Sequence, residues 1–341
     1  MVQAFLVGVL PYLPLYGGRS MLRRLNNCRH RSKGPPMDPL SQVISHLRPH
    51  DCVAAGLDAG GAWSIRFQRH AGLKCNAVLK GQCWLVVEGC DPIGLDEGDC
   101  VILPHGRSFV MSAERLRHGR DAETVYTPVS HGGTAMLGGG GDFFMIGSRF
   151  MVSGLPADRL LRTLPPVMHI RAGPERAFLQ WALDGIASEL RAPRIGGAVS
   201  IAHLSHLVLV QALRHYLSGP GVPGTGWLAA LADGRLRIAI GAIHDDPARD
   251  WSVAELGALA GLSRTAFATR FAQMVGASPM AYLAQWRMCL AADQLAQGSQ
   301  PVARIGQVVG YASESAFAAA FKRVTGQTPR QYRRASKALP V

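Results

Sequence analysis

Long apolar runs and paired cysteines are both missing from this sequence. No apolar stretch reaches the roughly eighteen residues that a membrane-spanning helix needs. The seven cysteines are odd in number and include no Cys-X-X-Cys pair, so they indicate neither a disulfide framework nor a zinc site. We therefore expect a cytoplasmic protein with no membrane partner, whose thiols are kept reduced.

Acidic residues are also scarce, and the shortage is uneven along the chain. The 341 residues include 23 Asp and Glu against 36 Lys and Arg, which gives a formal net charge of +13. Residues 1–36 have six basic and no acidic side chains, residues 37–230 have 17 and 16, and residues 231–341 have 13 and seven. The C-terminal third is therefore basic, which suits the phosphate backbone of a nucleic acid.

One pattern occurs twice between residues 253 and 332. The offset between the copies changes from 49 to 50 positions after Gly261 and before Phe267. A turn absorbs an inserted residue that a helix cannot, so the change marks a turn between two helices. The repeated pairs are Val253/Val302, Leu256/Ile305, Gly257/Gly306, Gly261/Gly310, Phe267/Phe317, Phe271/Phe321, Gly276/Gly326, Pro279/Pro329 and Tyr282/Tyr332.

Capping residues predict where the repeated helices begin and end. Ser252 and Glu255 form a capping box before the first helix. Ser263 is the predicted N-cap of the second helix, and Gly276 ends it. In both copies a Ser-Pro or Thr-Pro pair then predicts another helix start. The two predicted helix-turn-helix units are residues 253–276 and residues 302–326, in approximate bounds.

Two such units joined by a long helix resemble the DNA-binding domain of the AraC/XylS family of transcription regulators. The strings GYASESAF and FKRVTGQTPRQYRR are part of this resemblance, which covers about residues 236–334. It implies double-stranded promoter or operator DNA as a partner, and RNA polymerase as a second partner. A stiff helix between the units can place both recognition helices in successive major grooves, about 34 Å apart.

The outward faces of the two recognition helices provide the predicted DNA contacts. The residues predicted to contact bases are Arg264, Thr265, Ala268, Thr269, Glu314, Ser315 and Ala319. The residues predicted to contact phosphates are Gln273, Lys322, Arg323, Arg330 and Arg333. Because few long polar side chains face the bases, we expect DNA shape to contribute to specificity.

Short apolar segments separated by glycine turns fill residues 62–111, a pattern typical of an antiparallel sandwich or barrel. The strings LKGQCWLVVEG and LDEGDCVILPHG resemble the cupin-type sensor domain of one branch of the same family, which implies a small-molecule effector. The predicted fold class is multidomain α+β. It combines an N-terminal cupin-like antiparallel β-barrel and helical dimerisation segment with a C-terminal all-α domain containing two helix-turn-helix motifs.

Helical periodicity follows the predicted strands, in residues 174–191 and 199–217. In the AraC/XylS regulators that this chain resembles, helices at this position pair two subunits, so we expect a homodimer. The string SGPGVPGTG then predicts a flexible linker. The predicted divisions are the sensor domain with its dimerisation helices at 37–217, the linker at 218–230 and the DNA-binding domain at 231–336.

Residues 1–36 precede these domains and contain an apolar stretch, Phe5 to Tyr16, followed by arginines. A secretory signal has its positive charges before the apolar stretch, so the order is wrong for secretion. We expect a disordered extension, or a start codon assigned too far upstream with Met37 as the natural start. A membrane-associating segment is the alternative.

Metal-ligand patterns are missing from the cupin-like segment. Residues 74–77 read Lys-Cys-Asn-Ala, with no histidine where metal-dependent cupins need several, and His105 stands alone in a predicted turn. We predict no metal, no cofactor and no catalytic residue. The cysteines of this segment are predicted to be buried structural thiols, with oxidant sensing as the alternative: Cys75, Cys83, Cys90 and Cys100.

The leading hypothesis is a transcription regulator, expected to be an activator, that responds to a small effector or to chemical stress. One alternative is a cupin metalloenzyme fused to a DNA-binding module, which stoichiometric metal in the purified protein would favour. A second alternative is a constitutive DNA-binding protein whose barrel only dimerises. In that case no candidate metabolite would change promoter output.

Overall fold

The computed structural model describes residues 38–47, 50–115, 118–129, 133–152, 161, 164–173, 177–219 and 226–338. The predictions for residues 1–36 and for residues 220–225 of the linker lie outside these ranges. Within them, no helix is both long enough and apolar enough to cross a membrane.

The N-terminal half contains two β-sheets. The strands with described bounds are β1 His50–Ala59, β2 Ser64–Phe67, β3 Leu73–Lys80, β4 Cys83–Val87, β5 Ile93–Leu95, β6 Cys100–Leu103, β7 Phe109–Ser112, β8 Arg120–Asp121, β9 Thr134–Leu137, β10 Phe143–Met151 and β11 Met168–Ile170. The larger sheet has the order β11-β6-β3-β10-β1-β9, and the smaller has the order β5-β4-β7-β2-β8. Their strand pairs are antiparallel except for β1 with β9 and β2 with β8, which are parallel.

The two faces of the larger sheet have different partners, because successive side chains of a strand point to opposite sides. Val101 and Leu103 of β6 pack with Leu85 of the smaller sheet in the core between the sheets. Cys100 and Ile102 of the same strand face the other way and join a second core with the helices. The cupin-like domain is therefore a two-sheet structure whose larger sheet is covered on its outer face by helices.

Helices dominate the rest of the chain. Those with described bounds are α1 Pro39–Leu47, α2 Ala122–Tyr126, α3 Ala177–Arg191, α4 Gly197–Ser218, α5 Trp227–Ala232, α6 Gly234–Asp245, α7 Val253–Leu259, α8 Arg264–Val275, α9 Pro279–Gln297, α10 Val302–Val308, α11 Glu314–Thr325 and α12 Pro329–Ala338. α3 and α4 are the two helices that the apolar periodicity predicts, and both are buried against the larger sheet, through Ile186 and Val208 among others.

The strands expected from the apolar segments of residues 62–111 are present, among them β2, β3, β4, β6 and β7. The sequence does not predict β1 and β10, which pair with each other inside the larger sheet. β1 reads HDCVAAGLDA and has a single β-branched residue, so its own strand propensity is weak. Pairing with a strand far along the chain decides its conformation instead.

The C-terminal helices are buried in two separate cores. Phe267 and Phe271 of α8 belong to the core that also contains Trp227 of α5 and the helices on the larger sheet. Phe317 and Phe321 of α11 belong to a second, smaller core. These four phenylalanines are fully buried, and Trp286 is 8% exposed, so all five are core residues.

The predicted linker needs a correction at its C-terminal end. α4 ends at Ser218, but α5 already begins at Trp227, so residues 227–230 are helical rather than flexible. Trp227 and Leu228 are 5% and 4% exposed and lie in the core shared with α8. Burial of these apolar side chains outweighs the flexibility that the preceding glycines suggest.

Candidate nucleic-acid interface

The first helix-turn-helix unit, α7 and α8, is closed by the predicted caps. The Ser252 hydroxyl accepts a hydrogen bond from the Glu255 amide, and the Glu255 carboxylate accepts one from the Ser252 amide. The amide and the hydroxyl of Ser252 both donate to the Glu255 carboxylate, and with the Arg249 side chain they lower the pKa of Glu255 to about 2. Ser263 caps α8, and Gly276 ends it with a left-handed φ of 80°. The local sequence therefore determines the start and end of both helices.

Gly257 and Gly306 lie where the two helices of each unit come closest. A Cβ at Gly257 would be 3.3 Å from the Cβ of Phe267, and a Cβ at Gly306 would be 3.0 Å from the Cβ of Phe317. Both distances are at or near the limit that a real side chain tolerates. Close helix packing thus explains why glycine recurs at these two positions. The same close approach fixes how each recognition helix packs against the first helix of its unit.

The outer face of α8 presents the predicted contact residues to solvent. Phe267 and Phe271 are fully buried on the opposite face. The exposed predicted residues are Arg264, Thr265, Thr269 and Gln273, with Ala268 half-buried among them. At helical spacing these side chains form one row, as a helix lying in a major groove requires.

Arg270 also lies on α8, but it has a structural partner. Its guanidinium forms an ion pair with Asp233, with an Nη2–Oδ2 distance of 2.5 Å and an Nε–Oδ2 distance of 2.8 Å. The same carboxylate caps α6 by accepting from the amides of Arg235 and Leu236. Arg270 therefore fixes α8 against α6. The sequence carries no local signal for this pair, because 37 positions separate its members.

The second recognition helix, α11, exposes a more basic row. Ser313 caps this helix by accepting from the Ala316 amide. Glu314 at its start is 3.8 Å from Arg330 of α12, an exposed ion pair that contributes little to stability. The predicted contact residues that are exposed here are Glu314, Ser315, Ala319, Lys322, Arg323 and Arg330.

Arg333 differs from the other predicted phosphate contacts because it is half-buried. Its Nη2 donates to the backbone carbonyl of Gln300 at 2.5 Å. Its Nε is buried with no hydrogen-bond partner among the described residues. This geometry favours a role in holding α12 against the segment before α10, and the phosphate contact predicted for Arg333 has less support than the others.

The two units are joined by α9 and by Arg287 on it. α9 has 19 residues, so it is about 28 Å long. Arg287 donates to the carbonyls of Pro247 and Arg249, at 2.6 and 2.9 Å, in the loop before the first unit. A Cβ at Gly310, in the turn of the second unit, would be 3.0 Å from Arg287 Nη2 and 2.6 Å from the Ala248 carbonyl. Arg287 therefore ties both units together, a role that the sequence analysis missed.

The cupin-like domain has few features of a reactive site. Within the described residues, no group of three or more His, Cys, Asp or Glu is placed to hold a metal ion. His105 Nε2 lies 2.9 Å from the carbonyl oxygen of Leu161. The hydrogen bond with Cys100, followed by burial, raises the pKa of Cys75, and burial raises the pKa of Cys83 to about 12. Neutral thiols are poor nucleophiles, which supports the structural interpretation of Cys75 and Cys83 over oxidant sensing. The predicted burial is wrong for Cys90, which is half-buried.

Comparisons with known proteins agree with this two-part organisation. The cupin family model matches residues 38–218, and the helix-turn-helix domain model matches residues 256–335. A putative AraC-like transcription regulator of Streptomyces antibioticus is 41% identical over 87% of this chain and 99% of its own. A regulator of the same description from Streptomyces lividans is 41% identical, over 87% and 98% of the two chains. The HTH-type transcriptional regulator AlkR of Acinetobacter baylyi is 28% identical, over 88% and 100%.

Proposed function

The chain belongs to the AraC-like transcription regulators, and we propose that α8 and α11 bind successive major grooves of one double-stranded promoter or operator site. The single observation that carries this proposal is that both recognition helices turn their predicted contact residues to solvent, while their phenylalanines are buried. The excess of positive charge in residues 231–341 supports binding to phosphates. We further propose that the bound protein acts in the cytoplasm as an activator that engages RNA polymerase.

Two substitutions test whether base contacts and phosphate contacts are divided as proposed. Thr265→Ala should change the base preference at one position by roughly fivefold to tenfold, because a side chain in the groove is lost. Arg323→Ala should weaken binding to all sequences alike and lower the slope of log affinity against log salt by about 0.9. Binding to a randomised DNA library at several salt concentrations measures both effects.

Arg304→Ala is the matched control for Arg323→Ala, since Arg304 is also exposed but lies on α10, away from the recognition row. It should leave affinity and salt slope near the wild-type values. If Arg323→Ala changed base preference while Thr265→Ala changed only overall affinity, the assigned roles would be wrong. If the wild-type protein preferred no DNA sequence, the proposed function itself would fail.

A response to a small effector requires contact between the cupin-like and DNA-binding domains. α1 packs against α6, and the Gln42 side-chain amide donates to Asp245 at 2.7 Å. α5 contacts both α4 and α8, and the Gly226 amide donates to the Met274 carbonyl at the end of α8. We infer that a ligand in the cupin-like domain acts mainly on the first helix-turn-helix unit, because among the described residues only that unit shares its core with the sensor helices.

Homodimerisation is proposed through α3, where two aromatic side chains lie in solvent. Phe178 and Trp181 are 51% and 59% exposed, and their rings stack with centroids 5.7 Å apart. An exposed aromatic pair on a helix that otherwise covers the sheet is typical of an interface hot spot. We expect Trp181→Glu to weaken the dimer by roughly thirtyfold or more, measured by sedimentation equilibrium.

Ile238→Glu provides the control for the dimer, because Ile238 is 54% exposed but lies on α6 of the DNA-binding domain. It should leave the dimer dissociation constant unchanged. A Trp181→Glu protein that sediments as the wild type does would place the interface elsewhere.

A further inference from the structure

A cavity of about 270 Å³ opens between the two sheets, below α2. Its apolar wall includes Val53 and Ala55 of β1, Phe67 of β2 and Met145 of β10. Its polar wall includes Lys74 and Asn76 of β3. We call it the Lys74 cavity. Mostly apolar walls with a few convergent polar groups are the usual features of a small-molecule site.

Strand alternation places Lys74 and Asn76 inside the cavity. Cys75 and Ala77 belong to the core on the outer face of the larger sheet, so Lys74 and Asn76 point to the inner face. Asn76 is opposite Gly147 of β10, where a Cβ would be 2.9 Å from Asn76 Oδ1. The missing side chain at Gly147 thus makes room for the Asn76 amide. The segment that lacks metal-binding histidines therefore offers two hydrogen-bond donors instead.

The side-chain nitrogen of Asn76 has no hydrogen-bond acceptor among the described residues. Asn76 is 5% exposed, and its Nδ2 is buried. A buried donor left unsatisfied costs about 1–3 kcal/mol, so such groups usually have a ligand or water to bind. Because the amide lines the Lys74 cavity, an acceptor atom inside the cavity would satisfy it.

The Lys74 ammonium lacks a counterion within the described part of the chain. No ion pair or hydrogen bond joins it to a carboxylate there. Its Nζ lies instead over the rings of Phe67 and Phe109, 4.3 and 5.0 Å from their centroids. Arg149 of β10 and Glu123 of α2 also line the cavity, and both are exposed. The less exposed part of the polar wall therefore contains the Lys74 ammonium and the Asn76 amide, which are both hydrogen-bond donors.

We propose that the Lys74 cavity binds a small organic anion with an apolar body, and that Lys74 and Asn76 hold its carboxylate. This inference rests on the proposed function, because it names the chemical class of the effector. The carboxylate would accept from the Lys74 ammonium and the Asn76 amide, while the apolar body contacts Phe67 and Met145. The cavity volume equals about nine water molecules, so the ligand has roughly ten non-hydrogen atoms.

The cavity also lies against the route to the DNA-binding domain. Val53 and Ala55 of β1 line it, whereas Ala54 between them faces the core that contains α4, α5 and α8. A ligand that displaces β1 therefore moves a strand whose other face packs on the helices next to the first helix-turn-helix unit. An effector can shift the equilibrium only if it binds one arrangement more tightly than the other.

Calorimetric titration of the full chain with monocarboxylates and their neutral amides tests the proposal. Benzoate, phenylacetate and hexanoate are the probes, with benzamide, phenylacetamide and hexanamide as matched uncharged analogues. At least one carboxylate should bind, and its amide should bind at least tenfold more weakly, because the amide lacks the charge that Lys74 pairs with. This comparison needs no variant. Equal binding of acid and amide, or no binding by any acid up to about 10 mM, would overturn the proposal.

Lys74→Met removes the charge and keeps most of the stem, so it should weaken the carboxylate roughly tenfold to a hundredfold and leave the amide unchanged. Lys80→Met is the matched control, since Lys80 is on the same strand but exposed at its other end. It should bind as the wild type does. A Lys74→Met protein with unchanged carboxylate affinity would also reject the assignment.

The pH dependence gives a second readout. Burial first, and then the nearby Arg149, lower the pKa of Lys74 to about 8. The other ionisable groups around the cavity are Arg149, Glu123, Tyr126 and His70. Burial and Lys74 lower the pKa of His70 to about 4, and burial raises the pKa of Tyr126, so neither group changes its charge between pH 7 and pH 9. Since the carboxylate needs the charged ammonium, its affinity should fall about tenfold between pH 7 and pH 9. The Lys74→Met protein should lose this dependence, and a dependence that survives would contradict the proposal.

DNA binding of the same preparations distinguishes failure of the ligand assignment from failure of the proposed function. Sequence-specific DNA binding without carboxylate binding would overturn the ligand assignment and leave the proposed function standing. Loss of specific DNA binding in the wild-type protein would instead contradict the proposed function, whatever the cavity binds.

Discussion

Replacing Phe321 by alanine should destabilise the second helix-turn-helix unit by about 3–5 kcal/mol. Phe321 is fully buried in a core of few residues, with Phe317 and Leu295 among them. This core is separate from the one that holds the first unit. The loss should therefore stay local: α11 should lose protection from hydrogen exchange while α8 keeps its protection.

The effect on DNA follows from the two-site arrangement. With the second unit unfolded, one recognition helix remains, and affinity for the full two-turn site should fall roughly a hundredfold or more. Met136→Ala is the control, since Met136 is exposed on β9 of the cupin-like domain and lies outside both C-terminal cores. Equal loss of protection in α8 and α11 would show that the two units fold as one, contrary to the separate cores.

Arg287→Met should uncouple the two units without unfolding either of them. The guanidinium donates to two carbonyls of the loop before α7, so removing it should cost about 3 kcal/mol. It also leaves the turn at Gly310 without one of its neighbours. The second recognition helix then loses its fixed orientation relative to the first, and only part of the bound population can place both helices in the grooves.

We expect the Arg287→Met protein to bind the full two-turn site roughly tenfold to a hundredfold more weakly. Its affinity for a site of a single turn should stay near the wild-type value, since each helix is intact. Electrophoretic mobility shifts with both lengths of DNA measure the difference, and Arg304→Met serves as the control. A uniform loss on both sites would show that Arg287 does not act by orienting one unit relative to the other.

The DNA-binding half was readable from the sequence because its signals are local. A cap and its partner lie three residues apart, as Ser252 and Glu255 do, and the buried phenylalanines recur at helical spacing. The predicted C-terminal end of the linker was wrong. Trp227 and Leu228 directly follow a glycine-rich segment, and only their burial against the first unit shows that they belong to a helix.

The contact residues of the two recognition helices divide in the same way. Their position on the outer face follows from periodicity, so exposure of Arg264, Thr265 and Lys322 was foreseeable. The engagement of Arg333 with Gln300 and of Arg270 with Asp233 was not, because each pair joins residues more than 30 positions apart. Sequence spacing alone cannot separate an arginine that awaits DNA from one that already has a partner.

By itself the sequence determined the helix-turn-helix repeat and the cupin-like strands of residues 62–111, because these depend on interactions within a few turns or one hairpin. The family followed from the motifs in these two regions. Only the tertiary structure decided the pairing of β1 with β10, the bracing of both units by Arg287 and the meeting of Lys74 with Asn76 in one cavity. These depend on side chains brought together from distant strands and helices. Burial and hydrogen-bond satisfaction select such contacts only when the whole chain is folded.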